Sequence, residues 1–278
     1  TFERMVMASQ WLQAEGIRYA VEANRRRAPR CSGSLLWQLN EPYPNVSCTS
    51  AIDYFGNPKL AYSWVAKANR HLHVSLQYDG ISYRSGDAFR ATIYLTNDGI
   101  KANDLTVEWV ARDETGCKIS EGLYTLRDTR KPTMIAGTVE FQVPRLTGLF
   151  VTLKVVDPVE RRVLADNEYA FAVKERDEEP PLQAFLSLPM TSIEWETKEE
   201  AGGTNVSVRN TGETVALWVR ISGIAPEDSG SRPVVRPLED GFLIFPGETV
   251  ERHFADILPQ DRLWLVKAMN TSYEWRKA

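Results

Sequence analysis

The sequence predicts a mainly β chain: two antiparallel β-sandwiches behind a helix–strand–helix segment. Three observations carry this. From His71 onward, short runs alternate apolar and polar residues or are rich in β-branched residues. Turn-forming groups such as Tyr78-Asp79-Gly80, Ser85-Gly86-Asp87, Asn97-Asp98-Gly99 and Glu114-Thr115-Gly116 separate most of these runs. Before His71 the periodicity is helical, except for one apolar run at residues 34–39.

Residues 2–28 read as a helix. Met5, Ala8, Leu12, Tyr19, Ala20 and Ala23 supply most of an apolar stripe at helical spacing. Arg25, Arg26, Arg27 and Arg30 gather at its end, where cations suit the helix dipole, and are expected to be solvated. Pro29 and Gly33 stop the helix. Residues 34–39 are predicted to be a buried strand, and Lys59–Arg70 a second helix with Leu60, Trp64, Val65 and Ala68 on one side. One strand cannot bury itself, so the first ~72 residues do not make a complete domain from their own resources.

His71–Tyr78, Ala88–Thr96, Leu105–Arg112, Leu123–Arg127, Thr138–Val143, Leu149–Val156 and Asn167–Val173 are predicted strands. Their number and rhythm fit a sandwich of immunoglobulin type. Lys174–Pro181, KERDEEPP, reads as a linker. A second series follows: Phe185–Leu188, Ser192–Glu196, Asn205–Asn210, Val215–Ser222, Gly241–Phe245, Thr249–Phe254 and Leu263–Met269. The expected division is 1–72, 73–175 and 176–278.

Composition narrows the function. The 278 residues are 43% hydrophobic and 25% charged, which is globular. A formal charge of −4 gives no reason to expect nucleic acid. No apolar run approaches the ~20 residues that cross a bilayer, so no membrane partner is expected. Cys31, Cys48 and Cys117 are too few for a disulfide framework, although a Cys31–Cys48 bridge is conceivable. The start at Thr1 suggests a processed or excised piece, so the lack of a visible signal sequence says little about where the parent lives.

Little chemistry is self-contained. His71 and His73 share a strand face and could offer two metal ligands, but nothing nearby supplies a third, so no metal and no cofactor are expected. Glu194 and Glu196 alternate with Ile193 and Trp195 and read as a solvent face. The tryptophans mostly alternate with polar residues on strands and read as core. The exception is Trp37, in the apolar run Leu35 to Leu39 that stops at Asn40, Glu41, Pro42, Tyr43 and Pro44. Polar and aromatic groups just past the C-terminal end of a buried strand are where parallel α/β folds bind substrate. Glu41 is the carboxylate beside that candidate pocket. Glycosidic hydrolysis needs two, so no catalytic residue is assigned to this chain.

Residues 13–68 resemble the end of the (β/α)8 catalytic barrel of family-two glycoside hydrolases, β-mannosidases and exo-β-glucosaminidases above all. The likeness lies in Trp37–Glu41, Tyr43-Pro44, the Asp53–Lys59 turn and the helix after it. It continues in residues 210–223 and 237–252. The resemblance implies a retaining mechanism whose two glutamates lie upstream of Thr1. It also implies that Trp37 is an aromatic wall of the terminal-sugar site, with Asn40, Glu41 and Tyr43 as further substrate-site positions. Glu41 stands where aspartate is common, so its role is either sugar ligand or loop anchor. Tyr43 stands where tryptophan is common.

The resulting expectation is the C-terminal fragment of a β-mannosidase-like exo-glycosidase, inactive alone, whose parent acts on oligosaccharides or glycosides. β-Galactoside, β-glucuronide or β-glucosaminide specificity remains open. The rival is a non-catalytic module that binds glycan or protein, or that is purely structural. For glycan binding, two of Trp195, Trp218 and Trp264 should be exposed together. The N-terminal segment is expected either to fold onto the first sandwich as a helical arm or to self-associate, the second being favoured because an unpaired apolar strand invites pairing.

Overall fold

The structure is a computed structural model, and it describes residues 2–45, 49–99, 104–175, 180–225 and 234–272. Two helices precede the strands, α1 (Phe2–Arg26) and α2 (Leu60–Ala68). The chain forms two compact units. One contains Gly16–Ser34 and Lys67–Leu188, the other Thr1–Glu15, Leu35–Ala66 and Pro189–Ala278.

In the first of these units the strands are β1 (Leu72–Tyr78), β2 (Ser82–Arg84), β3 (Ala88–Asn97), β4 (Asp104–Arg112), β5 (Lys118–Arg127), β6 (Thr133–Gln142), β7 (Gly148–Val156) and β8 (Val163–Lys174). They make a three-stranded sheet, β1-β3-β6, and a five-stranded sheet, β2-β8-β7-β4-β5. All pairs are antiparallel except β2 with β8. Inward residues of both sheets share one core, including Leu76, Phe89, Ile93, Val107, Leu153 and Phe171. The alternation read from the sequence is therefore the alternation of a two-sheet packing. The strand β2 was not anticipated, because three residues leave too little pattern to read.

Helix α1 starts as predicted, ends two residues earlier, and buries a different face. Met7, Ala8, Trp11, Ala14 and Val21 are buried, together with Glu15, Arg18 and Glu22, whereas Met5 and Leu12 are exposed. Charged residues in the buried stripe hid it from an apolar-periodicity reading. Glu22 explains how the second half of α1 tolerates this. Its carboxylate accepts from Tyr169 Oη at 2.9 Å and Asn167 Nδ2 at 3.0 Å, and pairs with His73 Nε2 at 2.9 Å. Arg18 lies 4.2 Å over the Tyr169 ring and donates to the Glu168 carbonyl at 2.7 Å. Of the arginines at the helix end, Arg27 and Arg30 are exposed, as the sequence suggested, but Arg25 and Arg26 are half-buried and engaged. Arg25 donates to the Ala68 carbonyl and pairs with Asp98 at 2.7 Å, and Arg26 lies over Tyr19 and Tyr94.

Two predictions after residue 174 need correction or restriction. Phe185–Leu188 is not a strand. Pro181–Leu186 forms helix α3, with Pro180 and Pro181 at its start, where a missing N–H costs nothing. Of the predicted linker, residues 176–179 lie outside the described residues.

In the other unit the strands are β9 (Ile193–Glu200), β10 (Gly203–Asn210), β11 (Ala216–Ile224), β12 (Val234–Val235), β13 (Phe242–Ile244), β14 (Thr249–Ala255) and β15 (Leu263–Lys267). The sheet β14-β10-β9 faces a second one in which β11 pairs with β12, β13 and β15. Val206, Val208, Val219, Ile221, Ile244, Phe254 and Trp264 form the core between them. A bulge in β11 between Ala216 and Val219 holds Trp218 at φ 53°, and its indole stacks on Trp11 of α1 at 5.0 Å.

The predicted buried strand at 34–39 is not formed. Leu35 is fully exposed, Trp37 is 83% exposed and Leu39 is 56% exposed. On one side the backbone bonds Ala51 N to the Gln38 carbonyl at 3.2 Å and Ile52 N to the Leu39 carbonyl at 2.8 Å. No second strand lies along the other edge among the described residues. An apolar run becomes a buried strand only where two edges and two faces are covered.

Candidate functional site

The segment Trp37–Tyr43 is held from beneath by its one buried acidic group. Glu41 is 4% exposed. Its carboxylate pairs with Lys59 Nζ at 2.5 Å and accepts from Ser50 Oγ at 2.7 Å, and Lys59 also donates to Ser50 Oγ at 3.0 Å. Hydrogen bonds from Lys59 and Ser50 hold the Glu41 carboxyl below its ordinary range against the opposing effect of burial. The charge is consumed by the protein's own cation and hydroxyl, which is the geometry of a loop anchor.

The surrounding backbone is pinned in the same way. Gln13 Nε2 donates to the carbonyls of Thr49 and Ser50, at 2.8 and 3.2 Å. Thr49 Oγ1 donates to the Trp37 carbonyl at 3.2 Å. Asn40 is exposed, and its backbone makes a parallel bridge to Ile52. The next turn closes on Asp53, which accepts from Asn57 N and Asn57 Nδ2 at 2.8 and 3.0 Å. Gly56 sits in this turn at φ 84°, a conformation glycine adopts without steric cost. Lys59 N then bonds the Ala51 carbonyl at 2.8 Å.

On this frame the apolar groups point outward. Tyr43 is 61% exposed, and the edge-to-face pair Tyr54–Phe55 is also exposed. The predicted site residues thus divide by environment. Trp37, Asn40 and Tyr43 face solvent, and Glu41 does not. The sequence reading missed Ser50 and Lys59 as Glu41's partners. Lys59 stood within the quoted Asp53–Lys59 turn, but nothing in its spacing tied it to Glu41. It also missed Arg220, although a lone cation in the apolar strand ALWVRISGI is a signal of buried pairing.

His73 is buried against Glu22, and the described residues hold no group of three or more His, Cys, Asp or Glu placed for a metal ion. Cys31 and Cys117 are free thiols, and Cys48 lies outside the described residues. Trp218 and Trp264 are buried, so the paired exposure that a glycan-binding sheet face requires is absent from these positions.

No family model matches the chain. A 68-residue stretch, 23% of the chain, is 38% identical to β-mannosidase B of Aspergillus niger, of which it covers 8%. A 78-residue stretch is 35% identical to β-mannosidase B of Aspergillus flavus, covering 27% of this chain and 9% of that protein. In fold, 97% of the chain superposes on an exo-chitosanase of Amycolatopsis orientalis with a TM-score of 0.72 at 19% identity, covering 34% of that chain. For the β-D-mannosidase of Dictyoglomus thermophilum the values are 95% of this chain, 0.67 and 22%, covering 29% of that chain. The chain is thus similar to one portion of larger glycoside hydrolases, in fold along nearly its whole length and in sequence along about a quarter of it.

Proposed function

We propose that the chain is the C-terminal portion of a family-two, β-mannosidase-like exo-glycosidase. In this reading residues 1–72 end the catalytic (β/α)8 barrel, and 73–175 and 176–278 are immunoglobulin-like sandwiches. Both catalytic glutamates come from the part of the parent outside this chain. The observation that carries the reading is the exposed aromatic segment Trp37–Tyr43 on a buried Glu41–Lys59–Ser50 anchor. An indole face suits the apolar C–H face of a pyranose. Trp37 and Tyr43 would face the sugar, Asn40 would offer a polar contact, and Glu41 would keep the segment in place.

The test is hydrolysis of aryl β-mannosides, β-glucosaminides, β-galactosides and β-glucuronides by the longer protein carrying this chain. Preferential turnover of the β-mannoside is expected. Turnover of none of the four would contradict the glycosidase reading.

The uncovered segment has a further consequence for the chain in isolation. Leu35 and Leu39 are exposed, as are Phe2, Met5, Val6 and Leu12 of α1. Leaving such apolar area in water costs roughly 25 cal/mol per Å2, and a second copy can relieve it. Sedimentation is expected to show concentration-dependent association that the double substitution Leu35→Glu, Leu39→Glu abolishes. A monomer at every concentration would rule this out.

A further inference from the structure

Strand β11 is apolar along most of its length, yet Arg220 in its middle is only 6% exposed. A buried guanidinium is tolerated only when its donors are matched. Here each of its three nitrogens donates one bond, and the three diverge. Nε donates to Asp240 Oδ2 at 2.9 Å, Nη1 to Gln10 Oε1 at 2.9 Å, and Nη2 to the Pro58 carbonyl at 2.9 Å.

The Asp240 bond fixes the direction of the fork. Its side chain is fully buried, and its second oxygen accepts from Ile221 N at 3.0 Å, so the carboxylate is tied to β11 itself. Arg236 adds a second cation 3.6 Å from Asp240 and donates to Ser222 Oγ at 2.7 Å. The sandwich therefore holds the guanidinium on one side and aims its other two nitrogens outward, at α1 and at the turn before α2. Trp64 Nε1 of α2 reaches the Gly241 carbonyl at 3.2 Å, beside Asp240.

Pro58 is one residue from Lys59. The Lys59 amide bonds Ala51, and its ammonium holds Glu41, which closes the segment that begins at Trp37. A short covalent and hydrogen-bonded path thus runs from the sandwich to the exposed aromatic segment: Asp240, Arg220, Pro58, Lys59, Glu41.

We propose that Arg220 is a positioning residue, through which the terminal β-sandwich sets the Glu41–Lys59 anchor and hence the sugar-facing segment Trp37–Tyr43. The role in sugar binding rests on the glycosidase reading above. The mechanical link does not, since it is a property of this chain alone. The terminal sandwich is then part of the framework of the site rather than a spacer.

Arg220→Lys tests this. It keeps a positive charge beside Asp240 but loses the planar fork that spans three acceptors. Amide exchange at Ile52 and Lys59 is expected to accelerate about tenfold or more, while Val208 and Met269 in the sandwich keep their rates. In the longer protein, kcat/KM for an aryl glycoside should fall about tenfold, mainly through KM. Should Arg220→Lys fail to fold, Asp240→Asn keeps the shape and weakens the aim, and should give the same pattern in smaller measure. Unchanged exchange at Ile52 and Lys59 would overturn the proposal. So would equal acceleration in the sandwich, which would make Arg220 a core residue only, or loosened amides with unaltered glycoside kinetics. If the wild-type longer protein hydrolyses no glycoside while the exchange pattern holds, the glycosidase reading fails and the positioning role stands.

Discussion

Replacing Glu22 by alanine is expected to cost about 3–5 kcal/mol of stability in the unit built from Gly16–Ser34 and Lys67–Leu188. The side chain is fully buried and holds Tyr169, Asn167 and His73 together. Without it Tyr169, Asn167 and His73 lose their buried acceptor, and Arg18 loses a nearby compensating charge while keeping its bond to the Glu168 carbonyl. Glu22→Gln keeps the shape and one acceptor, so about 1–3 kcal/mol is expected. The exposed pair Arg90–Glu140, at 2.8 Å but with both side chains more than half in solvent, should matter little by comparison. Urea unfolding followed through the amides of β1 and β8 measures all three. A Glu22→Ala midpoint equal to that of Arg90→Ala would show that the network is incidental.

The same network gives the unit an acid dependence of known sign. Burial pushes the Glu22 carboxyl up, but the hydrogen bond and charge of His73, the charge of Arg18 and the hydrogen bond from Tyr169 together bring it below its ordinary 4.5. A carboxyl lowered on folding contributes stability that is complete above the unfolded value and is lost as pH falls through the folded one. Burial holds His73 below its ordinary 6.5 despite the carboxylate beside it. Just below that ordinary value the unfolded chain takes up the proton more readily than the folded one, so this group also favours unfolding as pH falls toward the folded value. Stability of this unit should fall from below pH 6.5 downward, and Glu22→Gln should flatten the part below 4.5.

In the longer protein, Trp37→Ala is expected to lower kcat/KM for an aryl β-mannoside by roughly ten- to a thousand-fold. Tyr43→Ala should cost clearly less. Trp37 is 83% exposed here, so it contributes little to the core of this chain, and removing it should leave folding intact. This separates a lost sugar platform from a lost core residue. A folded Trp37→Ala protein with unchanged kcat/KM would remove Trp37 from the site.

Much of the β architecture was legible because its signal is local. The runs that became β3, β4 and β7 alternate around residues such as Ile93, Val107 and Leu153, and turn residues mark their ends. The failures have a common cause, namely partners distant in sequence. The buried face of α1 contains Glu15, Arg18 and Glu22, and the last two are paired with residues some 50 to 150 positions away. The run Leu35–Leu39 has the composition of a buried strand, but burial needs neighbours that the described residues do not provide. Phe185–Leu188 was decided by two prolines rather than by its apolar content. In the candidate site, Trp37 stood out because an apolar run ended beside it. The environment of Glu41 depended on Lys59 and Ser50, which no local pattern connects to it.

The most direct measurement is a paired assay of the isolated chain and the longer protein on an aryl β-mannoside. Retaining hydrolysis requires an acid and a nucleophile on either side of the sugar bond. Within this chain Glu41, the one buried carboxylate of the Trp37–Tyr43 segment, is committed to Lys59 and Ser50. The expected result is turnover by the longer protein and none by the isolated chain. Turnover by the isolated chain that disappears on Glu41→Gln would contradict this, because the chain would then carry a working carboxylate pair of its own.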